Sequence, residues 1–354
     1  MARTLTTAAH VTNERRALPA FPVAFVLFCL LGLAVIALLD FTLPTPRVSP
    51  GELWAITQGG SSEMSRVVVL QLRLPRLLLG LLAGAMLALS GTMLQDALRN
   101  VLAGPELLGV SSGATIVVAA ITILHLPVLL AAIPGLALVG GLVVGGGVIL
   151  AMRQVQDPVR LVLVGAALTA LLNAGIIVLL SYGSQSDVGV LFLFLVGSLA
   201  NRSWPHVQLI LPWAVICIPL ALALARPLNA LQLGDDMARG LGVHVGRMRV
   251  LILLLSAALV AAVVAVCGPI AFVALLAPHL ARRLLRTSDA RLVLPMAALL
   301  GALLLSGADL LAHVLFDPME LPVGLFTALV GGPLLILLLR RQLTSSSISR
   351  GGEA

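Results

Sequence analysis

The sequence contains no lysine: all 22 of its basic residues are arginine. Compositional bias of a GC-rich genome accounts for the absence, but it has a functional consequence. A phosphate-binding loop of the form G-x-x-x-x-G-K-[ST] needs its lysine to reach the phosphates. The chain therefore carries no such ATP site, and any ATP hydrolysis has to come from another polypeptide. Charge of either sign is scarce, 10% of 354 residues against 60% hydrophobic. Soluble domains run at about 45–50% apolar and about 25% charged. A chain this poor in polar groups cannot cover its own surface in water. That excludes a soluble enzyme and a disordered protein, and leaves an all-α integral membrane protein. The three cysteines, Cys29, Cys217 and Cys267, lie in apolar runs. Their spacing fits neither a zinc site nor a disulfide framework, and they read as small core hydrophobes. The histidines are dispersed without metal-ligand spacing, and no nucleophile–base or paired-carboxylate constellation stands out. No catalytic residue, metal ligand or bound cofactor is expected in this chain. The net charge of +7 comes from arginines scattered at span ends and gives no reason to expect a nucleic-acid partner.

At about 20 residues per crossing, ten crossings account for the apolar content. Hydropathy places them near 20–40, 67–98, 107–125, 131–152, 160–182, 206–226, 250–267, 270–285, 292–313 and 322–341. The second is too long for a simple crossing, and Pro278 predicts a break in the short eighth. The first run lacks a small-residue cleavage site after it and reads as a retained span. With the N-terminus inside, five arginines fall outside (Arg47, Arg66, Arg73, Arg76 and Arg202) and the other 17 of the 22 fall inside, as the positive-inside rule requires. Both termini are then cytosolic. Residues 1–19 form an inner tail, 20–341 the membrane domain and 342–354 a second tail. Residues 226–249 form the longest inner loop, and 183–205 an outer loop whose apolar stretch, Val188 to Leu199, predicts a short helix at the outer mouth.

Arg73 and Arg76, in L-R-L-P-R, put two guanidiniums on one outer helix face, with Pro75 suited to a first turn. Close arginines on the disfavoured side suggest an anionic docking point; the alternative is snorkelling to the interface. Gly80, Gly84, Ala88 and Gly91 make a small-residue stripe, the mark of close helix–helix packing. In the inner loop, Asp235 reads as an N-cap and Asp236 as a first-turn acid. Gly240 and Gly242 then end the helix and allow a turn. Such a helix-turn-helix suits a cytosolic partner, although an ordinary solvated loop remains open. Asp309 lies near the outer end of the ninth span, as a proton or cation site or as a structural acceptor. Asp317, Glu320 and Pro322 form an outer turn into the last span.

The blocks R-L-P-R (73–76), G-A-M-L-A-L-S-G-T-M-L-Q (84–95), R-N-V-L-A-G-P-E-L-L-G-V-S-S-G-A (99–114), L-G-V-H-V-G-R (241–247), G-P-I-A-F-V-A-L-L-A-P-H-L-A-R (268–282), A-D-L-L-A (308–312) and E-L-P-V-G-L-F-T-A-L-V-G-G-P (320–333) give the chain its resemblance. It resembles, over about residues 20–341, the permease subunits of type II binding-protein-dependent ABC importers for iron–siderophore complexes, haem and vitamin B12. The resemblance implies a ten-helix permease in the bacterial inner membrane, paired with a second copy or a paralogue. It implies two cytosolic ATPase subunits, holding ATP and Mg, docked on 226–249 through Asp235, Asp236, Arg239, Gly240, Gly242 and Arg247. It implies a periplasmic or lipid-anchored binding protein docked outside on Arg73 and Arg76. A third family arginine is replaced here by His313, which makes docking there weaker, pH-dependent or supplied by a paralogue. Gly84, Gly91, Gln95, Gly197, Asp309, Glu320 and Pro322 are the expected gating or structural residues. Val101 and Ala274 depart from the family's usual proline and glycine. Ferric siderophore or ferric citrate is the implied cargo, with vitamin B12 or haem as the alternative, and an ion-coupled carrier using Asp309 or Asp96 as the rival from another class.

Overall fold

The computed structural model describes residues 20–60, 62–151, 158–316 and 320–350; the expected tail 1–19, Arg153 and Asp317 lie outside the described residues. Those described form helices, with no strand among them. The first helix, α1 (Ala20–Thr42), follows the first apolar run. A short α2 (Pro50–Gln58) comes next, unforeseen from hydropathy. Its signal was local: Ser49 caps Glu52 N–H and Glu52 returns the bond, with Pro50 at the first position.

The second expected span is one continuous helical run from Glu63 to Leu98, built from α3 (Glu63–Val67), a π-helical segment (Val68–Arg73) and α4 (Leu74–Leu98). Pro75 does stand in the first turn of α4, but the helical run does not begin there. A proline ring clashes with the carbonyl four residues back and offers no N–H. The wider π turns immediately before Pro75 absorb both defects, so the helix passes through. The π form is rare and concentrated at functional sites.

A 3₁₀ turn (Pro105–Leu108) leads into α5 (Val110–Ile123), followed by α6 (Ile133–Ala151), α7 (Pro158–Tyr182), the short α8 (Gln185–Val196) and α9 (Trp204–Ala223). The long connecting loop holds two helices, α10 (Ala225–Gln232) and α11 (Asp235–Gly240), before α12 (Val245–Cys267), α13 (Val273–Leu285), α14 (Ala290–Val314) and α15 (Val323–Arg350). Helix α13 runs through Pro278 without a break, and α15 continues beyond the expected last boundary.

Seven of these helical runs are long and apolar enough to cross a membrane. The ten expected crossings also need α5, α13 and α15. At 14 and 13 residues, α5 and α13 are about 21 and 20 Å long, against a hydrocarbon core of about 30 Å.

Burial separates centre from periphery. The Glu63–Leu98 run and α12 are mostly buried, whereas α1 and α7 are mostly exposed. Helix α4 is the hub and packs most extensively on α14. Its small-residue stripe explains how. A Cβ on Gly84 would lie 2.2 Å from the Gly301 carbonyl oxygen, and one on Gly91 would fall on the Ala274 carbonyl. The backbones meet directly, and the buried hydroxyls of Ser90 and Ser256, 2.6 Å apart, tie α4 to α12.

Candidate functional site

Charged side chains collect at the two ends of the α4–α14 pair. At the first end Arg76, 6% exposed, donates Nε and Nη2 to the two oxygens of Asp309 at 2.8 and 3.0 Å, and Nη1 to Glu320 at 3.0 Å. Both parallel donors of one face of the guanidinium go to one carboxylate, the strong bidentate geometry. His313 Nε2 stands 3.6 Å from the other Glu320 oxygen, and its Nδ1 is buried without a partner. Asp40, buried at the end of α1, adds a third carboxylate whose charge reaches Asp309, Arg76 and Arg73. Pro322 is buried one residue before α15.

Arg73 is 4% exposed and gives its hydrogen bonds elsewhere. It donates to the carbonyls of Phe41, Pro44 and Pro46 at 2.5–2.6 Å, cross-bracing the chain after α1. The two guanidiniums therefore do not stand together on an open face: Arg73 holds backbone and Arg76 holds acids. Asp309 likewise has both oxygens committed, as a structural acceptor would. Spacing along one helix could bring Arg73 and Arg76 together but could not show which distant carboxylate each would meet. Asp40 and the Arg76–Glu320 pair were missed for that reason.

At the opposite end, Asp235 is the first residue of α11, and the N-cap is Gly234, without a side-chain bond. This corrects the N-cap reading. The Asp235 carboxylate is drawn away by Arg249, at 2.8 and 3.3 Å, and Arg99, at 3.5 Å. Burial alone opposes its charge, but the Arg249 hydrogen bonds and the charges of Arg249, Arg99 and Arg239 prevail and hold the carboxyl below its ordinary value of 3.8. Arg249 also donates Nε to the Ala97 carbonyl, so α11, α12 and the end of α4 share one knot. Beside it Arg282 bridges Gln95 at 2.6 Å and Asp96 at 2.8 Å. Asn229 of α10 clasps the start of α14: its amide donates to Asp289 at 2.6 Å and its carbonyl accepts from Ala290 N–H at 2.7 Å.

Asp236 pairs with Arg239 at 2.9 Å on the open surface. Gly240, Gly242 and Arg247 are exposed. Gly242 adopts the left-handed conformation, φ 81°, that lets the chain turn into α12. Arg239, Gly242, His244 and Arg247 line a surface hollow of about 460 Å³.

Gly197 belongs to neither end cluster. It sits where α8, α12 and α15 converge. Ser198 N–H donates to the Cys267 carbonyl at 2.8 Å, and Gly324 N–H to the Gly197 carbonyl at 3.1 Å. A Cβ on Gly197, Gly268 or Gly324 would strike backbone oxygen at 2.3 Å or closer. Among the described residues no group of three metal-ligating side chains comes together.

A family model described as the FecCD transport family matches residues 30–341. The chain is 40% identical over 323 residues to the Fe(3+) dicitrate transport system permease protein FecD of Escherichia coli strain K12, covering 90% of this chain and 99% of that one. It is also 40% identical, over 324 residues, to the hemin transport system permease protein HmuU of Yersinia pestis, covering 89% and 95%. Among solved structures, an inward-facing structure of the metal-chelate ABC transporter type superposes with a TM-score of 0.80 at 28% identity, over 91% of this chain and 100% of that one.

Proposed function

The chain belongs to the FecCD transport family, and on that premise we propose that it forms half of the translocation pore of an ATP-driven importer for an iron chelate, ferric citrate or a ferric siderophore. The observation that carries the reading is similarity over 90% of the chain to a ferric dicitrate permease, joined to a polar two-helix loop at one end of an otherwise apolar bundle. A hemin permease matches at the same identity, which makes haem the second reading.

In this proposal α5, α13 and α15 complete ten crossings and both termini are cytosolic, in line with the arginine distribution. The Asp235 end faces the cytosol. Its exposed Asp236, with Arg239 and Arg247 at the hollow they line, receives an ATPase subunit that carries ATP and Mg. The knot behind that surface passes the motion on: Asp235 to α12 and α4 through Arg249, Asn229 to α14. The Arg76 end faces outward and receives the substrate-binding protein. Because Arg76 already holds Asp309 and Glu320, its part is to fix the shape of that face, with the half-exposed Glu320 as the group an incoming protein meets. A second copy or a paralogue supplies the other half of the pore against peripheral helices such as α7. An ATPase-free, ion-coupled carrier working through Asp309 or Asp96 fits less well, since arginines neutralise both acids.

Reconstitution of the permease with its ATPase and binding protein in proteoliposomes tests the reading. ATP-dependent uptake of radiolabelled ferric citrate or siderophore is expected, and uptake indifferent to ATP would sink it.

A further inference from the structure

We propose that the seam between α1 and α15 holds one acyl chain of a bilayer phospholipid, in an apolar hollow of about 620 Å³ walled by α1, α13, α14 and α15. The hollow has a physical origin. Helix α13 is about 20 Å long against a hydrocarbon core of about 30 Å, so it begins part-way through the bundle, at Val273. Phe272, just before it, adopts the left-handed conformation at φ 68°, which is costly for a bulky residue. Phe272, Val273 and Leu276 form the deep end of the hollow, and Phe272 abuts Gly331 of α15. Beyond them, toward the Arg76 end, the space between α1, α14 and α15 continues without a helix of its own.

The walls fit a chain lying along the bundle. Phe28, Leu31, Gly32, Val35 and Ile36 recur every three or four residues, so one whole face of α1 turns to the hollow. From Phe28 to Ile36 that face runs about 12 Å, close to the roughly 15 Å depth of one leaflet. Elsewhere small residues close a seam, as Gly84 does against the Gly301 backbone. Gly307 does the reverse: a Cβ there would meet only the tip of Ile36, at 3.5 Å, so its place beside Ala308 widens the hollow. Toward the other end of the bundle the same seam is filled by protein. There Phe25, Val26, Leu280 and Leu284 pack on the buried cluster of Cys29, Ala277 and Ala281.

The occupant has to be apolar and thin. Among the described residues Thr327 is the one polar side chain of the lining, and its hydroxyl already donates to the Gly324 carbonyl at 3.1 Å. A water needs two to four polar partners, and a charged chelate needs more, so the hollow holds neither. A helix of a second copy, about 10 Å across, takes roughly 900 Å³ over the same 12 Å and is too thick. At the Arg76 end Phe326 of the lining packs edge-on against Phe316, ring centroids 6.1 Å apart. The side between α1 and α15 is open instead: Phe28, Leu31 and Val330 are more than half exposed. In a bundle whose helices are long and apolar enough to cross a membrane, that side faces lipid. An acyl chain entering there bridges α1 and α15 across a gap that their side chains leave open.

The test uses the full chain in nanodiscs of phosphatidylethanolamine and phosphatidylglycerol, doped with phosphatidylglycerol that carries a diazirine in one acyl chain. After illumination, label mapped by mass spectrometry is expected to be several-fold denser on Phe28–Ile36 and on residues 303–311 than on the exposed face of α9 around Val215 and Ile216. Gly307→Leu, for which the wall leaves room, should abolish the excess and leave α9 labelled as before. Val330→Trp narrows the open side and should do the same; it decides if Gly307→Leu fails to elute as a single species. Phosphatidylethanolamine carrying the same diazirine should give the same pattern, because the chain and not the headgroup is held. Even labelling of α1, α14 and α9 overturns the proposal. So does an excess that survives in either variant that elutes normally, or one that follows the headgroup. Leu311→benzoylphenylalanine adds a direct check on the occupant. Its photoproduct should be a lipid adduct, and a crosslink between two copies of the chain would overturn the proposal in favour of a second copy.

Discussion

The two charged ends of the α4–α14 pair are built from the same residue types and behave differently. At the Arg76 end Arg76, Asp309 and Asp40 are almost fully enclosed, with only Glu320 reaching the surface, and each buried charge depends on its partner. At the Asp235 end the same chemistry is graded, from the buried Arg249 outward to Asp236, whose side chain is entirely exposed. A dry cluster can only hold a shape, because breaking it strands a charge in a medium that cannot solvate it. A graded cluster can give up its outer members to a partner while its inner ones keep their grip. The difference matches the proposed roles: a fixed face toward a visiting protein, and a yielding one toward a motor.

The sharpest way to break the contrast is to cut the seam that joins the ends. Gly84→Leu should leave no monodisperse protein in size-exclusion chromatography after detergent extraction, because even its Cβ meets the Gly301 backbone. A normal elution profile would mean that the α4–α14 contact is looser than described. Arg76→Ala comes next. It strands Asp309 and should cost about 3–5 kcal/mol, seen as a large drop in thermal melting in detergent. Adding Asp309→Ala should recover most of the loss, and a double variant as weak as the single would show that the pair is not the cause. The Asp235 end should respond to acid instead. A carboxyl whose folded pKa lies below its ordinary value of 3.8 stabilises the fold fully above that value, and loses the contribution as pH falls through the folded pKa. Hydrogen exchange in 235–249 should therefore accelerate below about pH 4. Asp235→Asn should remove that acid step and cost less at pH 7 than Arg76→Ala does, because the amide oxygen can still accept from Arg249. Arg239→Ala, at the rim, should leave the melting temperature where it is while weakening ATPase co-purification. A changed melting temperature would mean the rim bears structure after all.

Hydropathy and small-residue spacing made the helical bundle legible, because both are properties of single helices. The Gly84 stripe was visible as a stripe, but its partners Gly301 and Ala274 were not, since facing surfaces are set by tertiary packing. Pro75 stands in the first turn of α4 as its chemistry suggests, but the π turns that carry the helix on from before it leave no mark in composition. Asp235 shows the same for caps. Its position suits an N-cap, yet an arginine 14 residues on outcompetes the backbone for its carboxylate. Most of the candidate sites lay beyond the sequence because their residues are far apart along it. Arg76 and Asp309 are 233 positions from each other.

That separation also orders the making of the protein. Arg76 is translated long before Asp309 exists, and an arginine without its counter-charge is costly to place in or near a membrane. Asp40 precedes Arg76 by a short stretch and ends within reach of its charge. Until α14 is made, Asp40 is the carboxylate of this cluster that the chain has already supplied.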